Sequence, residues 1–320
     1  MGKRKAFTLF LTLIIAVFVL AACGSGGGNS GNADDDSGNN NADNGNNNAD
    51  EEEITELTMG FIPSQDADEL ADTVEPLAER LSEELGVPVK ASVMVDFVGL
   101  IEAMRTQQID IGFLNPFGFV QAEDRANVEV ILKSERFGED SYLAQYNVRA
   151  DSDIETIEDL VEQEGLVWAY ADDLSTSGYL FPASQLTEMG IDSMDDHFTR
   201  TPVGGHDNAL IALLDGQADF ATTFDDGRDS IRDEFPDVDD EIRVIGYTDA
   251  IPNDTISIRE GFPDEWRDKV VDAFLSFNDD EAMLEVLDDI YNWTGVVEAK
   301  SEDYDIVRAV FKQFEDELSE

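Results

Sequence analysis

From Ile54 onward, short segments with the pattern of buried β-strands alternate with segments that have the periodicity of amphipathic helices. The strand-like segments are residues 57–62, 89–95, 109–114, 128–132, 166–170, 220–223 and 242–247. The helical segments are residues 70–85, 100–107, 157–163, 209–214 and 266–277, followed by a helical tail over 281–291 and 304–318. Strands that alternate with helices form largely parallel sheets covered on both faces, so the pattern predicts an α/β fold.

The part of the chain after residue 53 is long enough to form two α/β lobes. Composition marks no sharp boundary between the lobes, and the sequence has no internal repeat. We expect the chain to cross between lobes near residues 149–152 and again near residues 247–252. Lobe one then combines residues 54–148 with residues 250–320, which include the C-terminal helices, and lobe two spans residues 149–249.

The N-terminus has the pattern of an export signal. A basic start, Lys3-Arg4-Lys5, precedes an apolar run over residues 7–22 that is too short for a typical membrane-spanning helix. The run ends in Leu-Ala-Ala directly before Cys23, the only cysteine in the sequence, and this resembles the cleavage box of bacterial lipoproteins. Residues 1–22 are therefore predicted to be a lipoprotein signal peptide, and Cys23 the lipidated residue that anchors the protein outside the membrane. The alternative is an ordinary secretory signal followed by an incidental cysteine.

Composition separates a solvated tether from an acidic folded part. Residues 23–53 consist mostly of Gly, Asn, Ser and Asp, which cannot bury a core, so this segment is predicted to be a disordered tether. The whole chain has 20 basic and 72 acidic residues and a formal net charge of −52. This charge excludes nucleic acid and anionic lipid as electrostatic partners. It also indicates a protein adapted to a salt-rich, halophilic environment, because salt screens the self-repulsion.

The strongest local motif is a turn of small hydroxyl residues. Ser175, Thr176, Ser177 and Gly178 follow a predicted strand and precede a helical stretch. Backbone N–H groups at a helix N-terminus bind anions, and hydroxyl groups add further donors. The alternative is that Ser175 or Thr176 only caps the helix. The motif is consistent with either role.

A second turn, with the sequence VGGHDN over residues 203–208, precedes the predicted helix 209–214. His206 could donate a hydrogen bond to an oxyanion while Asp207 or Asn208 caps the helix. The other histidine, His197, lies in an acidic polar segment and is interpreted as a surface residue.

Several classes of enzyme are disfavoured by the motifs that the sequence lacks. It has two histidines, one cysteine, and no GxSxG, Walker or GxGxxG motif in a suitable context. The acidic pair Asp225-Asp226 could bind Ca²⁺ or Mg²⁺, but paired carboxylates are expected by chance in a chain this acidic. We therefore predict no catalytic residues, no metal site and no cofactor.

The order of the motifs resembles that of the phosphate, phosphite and phosphonate binding proteins of ABC importers, over about residues 57–276. The matching pieces, in chain order, are VDF (95–97), EAMR (102–105), IDIGF (109–113), NP (115–116), Tyr142, VRADS (148–152), STSG (175–178), GHD (205–207), GQAD (216–219) and IPND (251–254). Each piece alone is weak, whereas the ordered series is specific. The resemblance implies a type II periplasmic-binding-protein fold, in which two lobes, each a mixed sheet covered by helices, are joined by hinge crossovers.

The resemblance also implies a binding site. Its oxyanion donors would be Ser175, Thr176, Ser177 and His206, its cleft aromatics Phe97 and Tyr142, and its acidic residues Asp226 and Asp254. The neighbouring Asp225 is the alternative to Asp226. The chain departs from the family pattern at Phe97, where a tyrosine hydroxyl is usual, and at Asn115, which is commonly glycine.

By this resemblance the chain captures a small phosphorus oxyanion and delivers it to a membrane permease driven by a cytoplasmic ATPase. The oxyanion would be held mainly by neutral N–H and O–H donors, which act at short range in spite of the net negative charge. Carboxylates in such a site either accept a proton from the ligand or pair with a ligand ammonium. The alternatives are a binding protein for another small anion or organic ligand, and a sensory protein that presents its ligand to a membrane receptor. A secreted phosphoester hydrolase is disfavoured.

Overall fold

A computed structural model describes residues 54–314 of the chain. The predicted signal peptide, Cys23 and the predicted tether lie outside the described residues. The strands are β1 (Leu57–Phe61), β2 (Val89–Val93), β3 (Ile111–Leu114), β4 (Glu129–Glu135), β5 (Ser141–Arg149), β6 (Val167–Tyr170), β7 (Thr199–Pro202), β8 (Phe220–Phe224), β9 (Ile242–Pro252), β10 (Thr255–Ile258) and β11 (Gly295–Glu298). They form two sheets, with the orders β11-β4-β10-β3-β1-β2 and β7-β6-β8-β5-β9.

Helices cover both sheets. They are α1 (Ala67–Thr73), α2 (Glu75–Leu85), α3 (Phe97–Arg105), α4 (Pro116–Ala126), α5 (Ile157–Glu162), α6 (Phe181–Glu188), α7 (Met194–His197), α8 (His206–Leu214), α9 (Val238–Glu241), α10 (Asp264–Ser276), α11 (Glu281–Tyr291) and α12 (Asp305–Phe311). A π-helical segment, Thr176–Leu180, runs directly into α6. Within residues 54–314, no helix combines the length and the apolar character needed to cross a bilayer.

Both sheets are mixed, as the family resemblance implies. In the first sheet β1 pairs in parallel with β2 and β3, and β10 and β11 pair antiparallel to their neighbours. In the second sheet β6 pairs in parallel with β7 and β8, whereas β5 is antiparallel to both β8 and β9. The parallel parts agree with the alternation in the sequence.

The first crossing between lobes lies earlier in the chain than we predicted. Strand β5 belongs to the second sheet, so the chain leaves lobe one at residues 136–140 and not at 149–152. Hydrophobic periodicity does not reveal strand β5, because two polar residues on one of its faces, Gln145 and Asn147, are fully buried. These side chains bond to each other, from Gln145 Nε2 to Asn147 Oδ1 at 2.7 Å, and Asn147 Nδ2 donates to Thr223 Oγ1 at 3.1 Å. Buried polar side chains whose hydrogen bonds are made can lie in a protein core. In the sequence, however, these polar residues interrupt the apolar pattern of a buried strand.

The second crossing is short and is tied to the first. It consists of Asn253 and Asp254, between β9 and β10, and follows directly on the predicted segment 247–252. The Asn253 amide donates to the carbonyl oxygens of Ser134 and Glu139, at 2.9 Å each. The carbonyl of Asp254 accepts from the Ser134 N–H at 2.9 Å. Lobe two therefore comprises residues 141–252, and the two crossovers form one hydrogen-bonded hinge.

Two further differences concern lobe one. The helix predicted over 70–85 is divided into α1 and α2, with Pro76 in the first turn of α2, where proline is tolerated because its missing N–H has no helical partner. Between the two helical segments of the tail lies a strand that was not predicted, β11, which pairs with β4. Trp293, just before β11, is 1% exposed and stacks on Phe113 with ring centroids 5.7 Å apart, so the tail completes the core of lobe one.

Candidate functional site

A cavity of about 40 Å³ lies between the lobes, beside the hinge. It is lined by residues from both sheets' loops and from both crossovers. Seven of the eight residues proposed for the site on the basis of the sequence line it, namely Phe97, Tyr142, Ser175, Thr176, Ser177, His206 and Asp254. The cavity is also lined by residues that were not predicted, among them Gln65, Asn115, Arg136 and Phe224.

Four helical segments begin at this cavity. Phe97 is the first residue of α3, Asn115 is the N-cap of α4, Thr176 begins the π-helical segment, and His206 begins α8. A helix N-terminus carries partial positive charge and unpaired N–H groups. Helices from both lobes therefore direct their positive ends at one small space. This arrangement suits an anion.

The side chains of Ser175, Thr176, Ser177 and His206 form one side of the cavity, which we call the donor wall. Ser175 caps the π-helical segment by accepting from the Gly178 N–H at 3.0 Å. The three hydroxyl residues are at most 3% exposed. Capping and anion binding are thus not exclusive, because a hydroxyl that accepts a capping bond still has a proton to donate.

Thr176 also joins the two lobes. Its Oγ1 accepts from the Asn115 amide at 2.8 Å and from the Phe117 N–H at 2.9 Å, and both of these groups belong to the start of α4 in lobe one. The Asn115 amide donates in addition to the Leu174 carbonyl at 2.8 Å. A second bond between the lobes runs from the His206 N–H to the Ser64 carbonyl at 2.9 Å. The lobes are therefore closed on each other around the cavity.

His206 is a neutral donor. Its ring is 4% exposed, and Nε2 lies 3.4 Å from Ser175 Oγ. Burial, assisted by the charge of Arg136, lowers the pKa of His206 to about 3. The imidazole is uncharged at neutral pH, so it has one N–H to offer. Helix α8 begins at His206 with Gly205 as N-cap, and not at residue 209 with Asp207 or Asn208 as cap.

The residues that the hinge and the adjoining strand bring to the cavity, Arg136, Tyr142 and Asp254, form a second side, the hinge wall. Sequence reasoning missed Arg136, which lies in the first crossover and is 6% exposed. Its guanidinium lies 4.7 Å from the ring centroid of Phe224 and 5.6 Å from that of Tyr142. The site is therefore not made of neutral donors alone. The signal available was an arginine in a turn before Phe137-Gly138, in a chain with few basic residues.

The two acidic residues differ in position. Asp254 lines the cavity, and burial raises its pKa to about 6 against the opposing charge of Arg136.

Asp226 is not among the residues that line the described cavity. Its Oδ1 accepts from Gln145 at 2.9 Å and from Arg228 Nε at 3.0 Å. The Asp225 carboxylate does not line the described cavity either, and accepts from the Leu143 N–H at 3.0 Å. The assignment of Asp226 as a ligand-reading residue is corrected accordingly, because Arg228 already occupies its carboxylate.

The two aromatic residues contribute differently. Phe97 is 2% exposed and presents an apolar ring to the cavity. Tyr142 is 8% exposed, and burial raises the pKa of its phenol above the usual value, so its hydroxyl stays protonated and can donate. The hydroxyl expected from the family pattern at Phe97 is absent, and Arg136 adds donors on another side.

A second, wider cleft adjoins the cavity at Gln65, which lines both. We call it the acidic cleft, because its lining includes eight carboxylates and, within the described part of the chain, no lysine or arginine. They belong to Asp66, Glu69, Asp207, Asp229, Asp233, Glu234, Asp288 and Asp289. Within residues 54–314, no group of three or more His, Cys, Asp or Glu side chains is placed to hold a metal ion. The acidic cleft thus brings like charges of both lobes together next to the site.

Comparison with known proteins identifies the family. The sequence model for the ABC transporter, phosphonate, periplasmic substrate-binding protein family matches residues 59–304. The phosphonates-binding periplasmic protein of Escherichia coli is 29% identical over 242 residues, covering 74% of this chain and 71% of the relative. The phosphate-import protein PhnD of Mycolicibacterium smegmatis is 27% identical over 274 residues, covering 79% and 84%.

Solved structures agree with this assignment. A binding protein component of an ABC phosphonate transporter from Pseudomonas aeruginosa is 26% identical, with a TM-score of 0.75 over 82% of this chain and 87% of that one. The shared fold confirms the predicted two-lobe, type II architecture. Since the family match covers more than half of the sequence, the chain belongs to the periplasmic substrate-binding proteins of phosphonate ABC transporters.

Proposed function

We propose that this chain captures a small phosphorus oxyanion outside the cytoplasm for an ABC importer, and that it catalyses no reaction. The observation that carries the ligand proposal is the convergence of four helical N-termini on one cavity. The donor wall adds three hydroxyl groups and a neutral imidazole, and Arg136 adds a cation. All these groups favour an anion with several oxygen atoms.

The size of the cavity supports a small ligand. A water molecule needs at least ~10–15 Å³ of such a space. The cavity of about 40 Å³ therefore matches a few water molecules, or one tetrahedral group with three or four oxygens. A ligand of this size would be surrounded by both lobes.

The contacts between the lobes support capture by closure. Both the Thr176 hydroxyl and the His206 N–H take part in bonds to lobe one, at residues that also border the cavity. A ligand that touches both lobes makes some of its contacts only when the lobes are closed. These contacts stabilise the closed arrangement over the open one.

The partners that we propose are a membrane permease and a cytoplasmic ATPase, which the family of the chain supports. We also propose that Cys23 carries the lipid that holds the protein at the membrane, on the basis of the basic start, the apolar run and the Leu-Ala-Ala sequence before it. Mass spectrometry of the mature N-terminus tests the anchor. An unmodified residue elsewhere as the first one contradicts it.

Titration calorimetry in a high-salt buffer tests the ligand. Phosphate, phosphite, methylphosphonate and 2-aminoethylphosphonate are compared with sulfate and a small sulfonate as anions of other chemistry. We expect at least one phosphorus oxyanion to bind with micromolar or tighter affinity, and the sulfur anions to bind at least about tenfold more weakly. Tighter binding of sulfate or the sulfonate contradicts the proposal and favours a binding protein for another anion.

A further inference from the structure

Arg136 is a buried cation whose guanidinium is not saturated by the protein. It is 6% exposed, and its Nε atom has no hydrogen-bond partner among residues 54–314. Its guanidinium lies over the rings of Phe224 and Tyr142. Burial of an ionised group away from a direct partner is costly. A ligand oxyanion in the same cavity would supply the missing partner, in the forked geometry that guanidinium groups favour.

Asp226 and Asp254, the two carboxylates proposed for the site, each have an arginine in their surroundings. Asp226 is held by Arg228 and lies outside the cavity lining. Asp254 lines the cavity together with Arg136, whose charge opposes the rise in pKa that burial causes. Neither carboxylate is therefore an isolated negative charge facing the ligand.

We propose that Arg136 makes the site selective for phosphorus oxyanions that carry no ammonium group, such as phosphate, phosphite or methylphosphonate. This inference rests on the proposed function and specifies its ligand class. An ammonium directed at Asp254 would share a cavity of about 40 Å³ with the Arg136 guanidinium, and two cations in one poorly solvated space repel each other. The cavity of about 40 Å³ also leaves little room for an aminoethyl chain beside the phosphonate group.

The first test uses the unaltered protein. Calorimetry in high salt compares methylphosphonate with 2-aminoethylphosphonate, which share the phosphonate group and differ in the aminoethyl extension. We expect methylphosphonate to bind at least about tenfold more tightly. Tighter binding of 2-aminoethylphosphonate overturns the selectivity inference and leaves the proposed function intact. If neither these two nor phosphate and phosphite bind, the proposed function itself fails.

The second test assigns the selectivity to Arg136. Arg136→Gln removes the charge, so we expect roughly 10- to 100-fold weaker binding of methylphosphonate or phosphate and a smaller preference over 2-aminoethylphosphonate. Arg136→Lys retains the charge, so it should retain most of the preference even though the forked geometry is lost. A preference that is the same in Arg136→Gln as in the unaltered protein overturns the assignment.

Arg200→Gln is the matched control. Arg200 also stacks on an aromatic ring, 4.9 Å from the centroid of Tyr179, but it does not line the cavity. Its substitution should leave both affinities unchanged. Thermal melts of all variants in the same buffer separate loss of binding from loss of folding. Should Arg136→Gln not fold, the comparison of the unaltered protein with Arg136→Lys still decides the inference, because a lysine variant that prefers 2-aminoethylphosphonate contradicts a role for the charge.

Discussion

The donor wall and the hinge wall both favour an anion in the cavity, but they do so through different interactions. The donor wall is one stretch of strand, turn and helix plus the start of α8, and its groups are neutral. The hinge wall combines Arg136, Tyr142 and Asp254, which are far apart in sequence and include both signs of charge. The donor wall supplies directional hydrogen bonds at short range, whereas the hinge wall fixes the net charge that the ligand meets. Substitutions in the donor wall are therefore expected to change affinity, whereas substitution of Arg136 is expected to change both affinity and choice of ligand.

The largest effect is expected in the donor wall, at Thr176. Thr176→Ala removes a hydroxyl that faces the cavity and accepts from Asn115 and Phe117 of the other lobe. We expect roughly 10- to 100-fold weaker binding of the cognate oxyanion by calorimetry. Thr156→Ala is the control, since Thr156 caps α5 away from the cavity. It should cost ~1 kcal/mol of stability with affinity unchanged. If both variants affect only stability, the Thr176 hydroxyl joins the two lobes but does not bind the ligand.

A smaller effect is expected at His206. His206→Ala should weaken binding about tenfold through the loss of one N–H donor. Because burial lowers the pKa of His206 to about 3, this loss should be the same at every pH between 5 and 8. His197→Ala, whose ring lies 3.0 Å from the Leu160 carbonyl, should bind normally. A loss that changes around pH 6.5 would show that His206 acts as a cation.

In the hinge wall, Asp254 should make the free energy of unfolding depend on pH. Burial raises the pKa of Asp254 to about 6, above the ~3.9 of an unfolded aspartate, so the folded protein keeps this proton to higher pH. The associated stabilisation is complete below about pH 4 and is lost as pH rises through about 6. The free energy of unfolding of the unaltered protein, relative to Asp254→Asn, should therefore fall by up to about 3 kcal/mol across this range. Denaturant titrations that show a constant difference contradict the assignment.

The smallest effect concerns the acidic cleft, whose charges act on both walls. Asp288→Asn with Asp289→Asn should raise affinity for the oxyanion about two- to threefold at ~0.1 M salt and hardly at all at ~1 M, where the Debye length is only ~3 Å. Asp268→Asn with Asp272→Asn removes two exposed carboxylates from another helix, α10, and should have less effect at either salt concentration. Equal gains for the two pairs would mean that net charge, not the position of the cleft, matters.

The difference between the walls also explains what the sequence could predict. Ser175, Thr176, Ser177 and His206 lie where local turn chemistry places donors at a helix start, so they are candidates from the sequence, and the family resemblance assigned them to the site. Arg136 depends on topology, because its place beside Asp254 requires that residues 136–140 and Asn253-Asp254 form one hinge. We placed the first crossing at 149–152, since Gln145 and Asn147 hide the strand character of β5. With that error, an arginine at 136 could not be recognised as part of the site.

Asp226 illustrates the converse limit. Its position in the ordered motifs suggested a role toward the ligand, but a neighbour two residues away, Arg228, binds its carboxylate. Whether a carboxylate faces a ligand depends on side-chain orientation, which spacing along the chain does not encode. The fold class followed from alternating periodicities, which are summed over many residues and tolerate such local exceptions.

The acidic cleft has a kinetic consequence. It adjoins the cavity at Gln65, so an anion that approaches from this side travels past carboxylates of both lobes before it meets the first donor. In dilute solution such a field slows encounter, whereas in strong salt it extends only a few ångströms and approach becomes limited by diffusion and orientation. The ionic strength of the surroundings thus affects the rate of ligand capture as well as the affinity. The same protein would therefore bind its ligand slowly at low salt and faster at high salt.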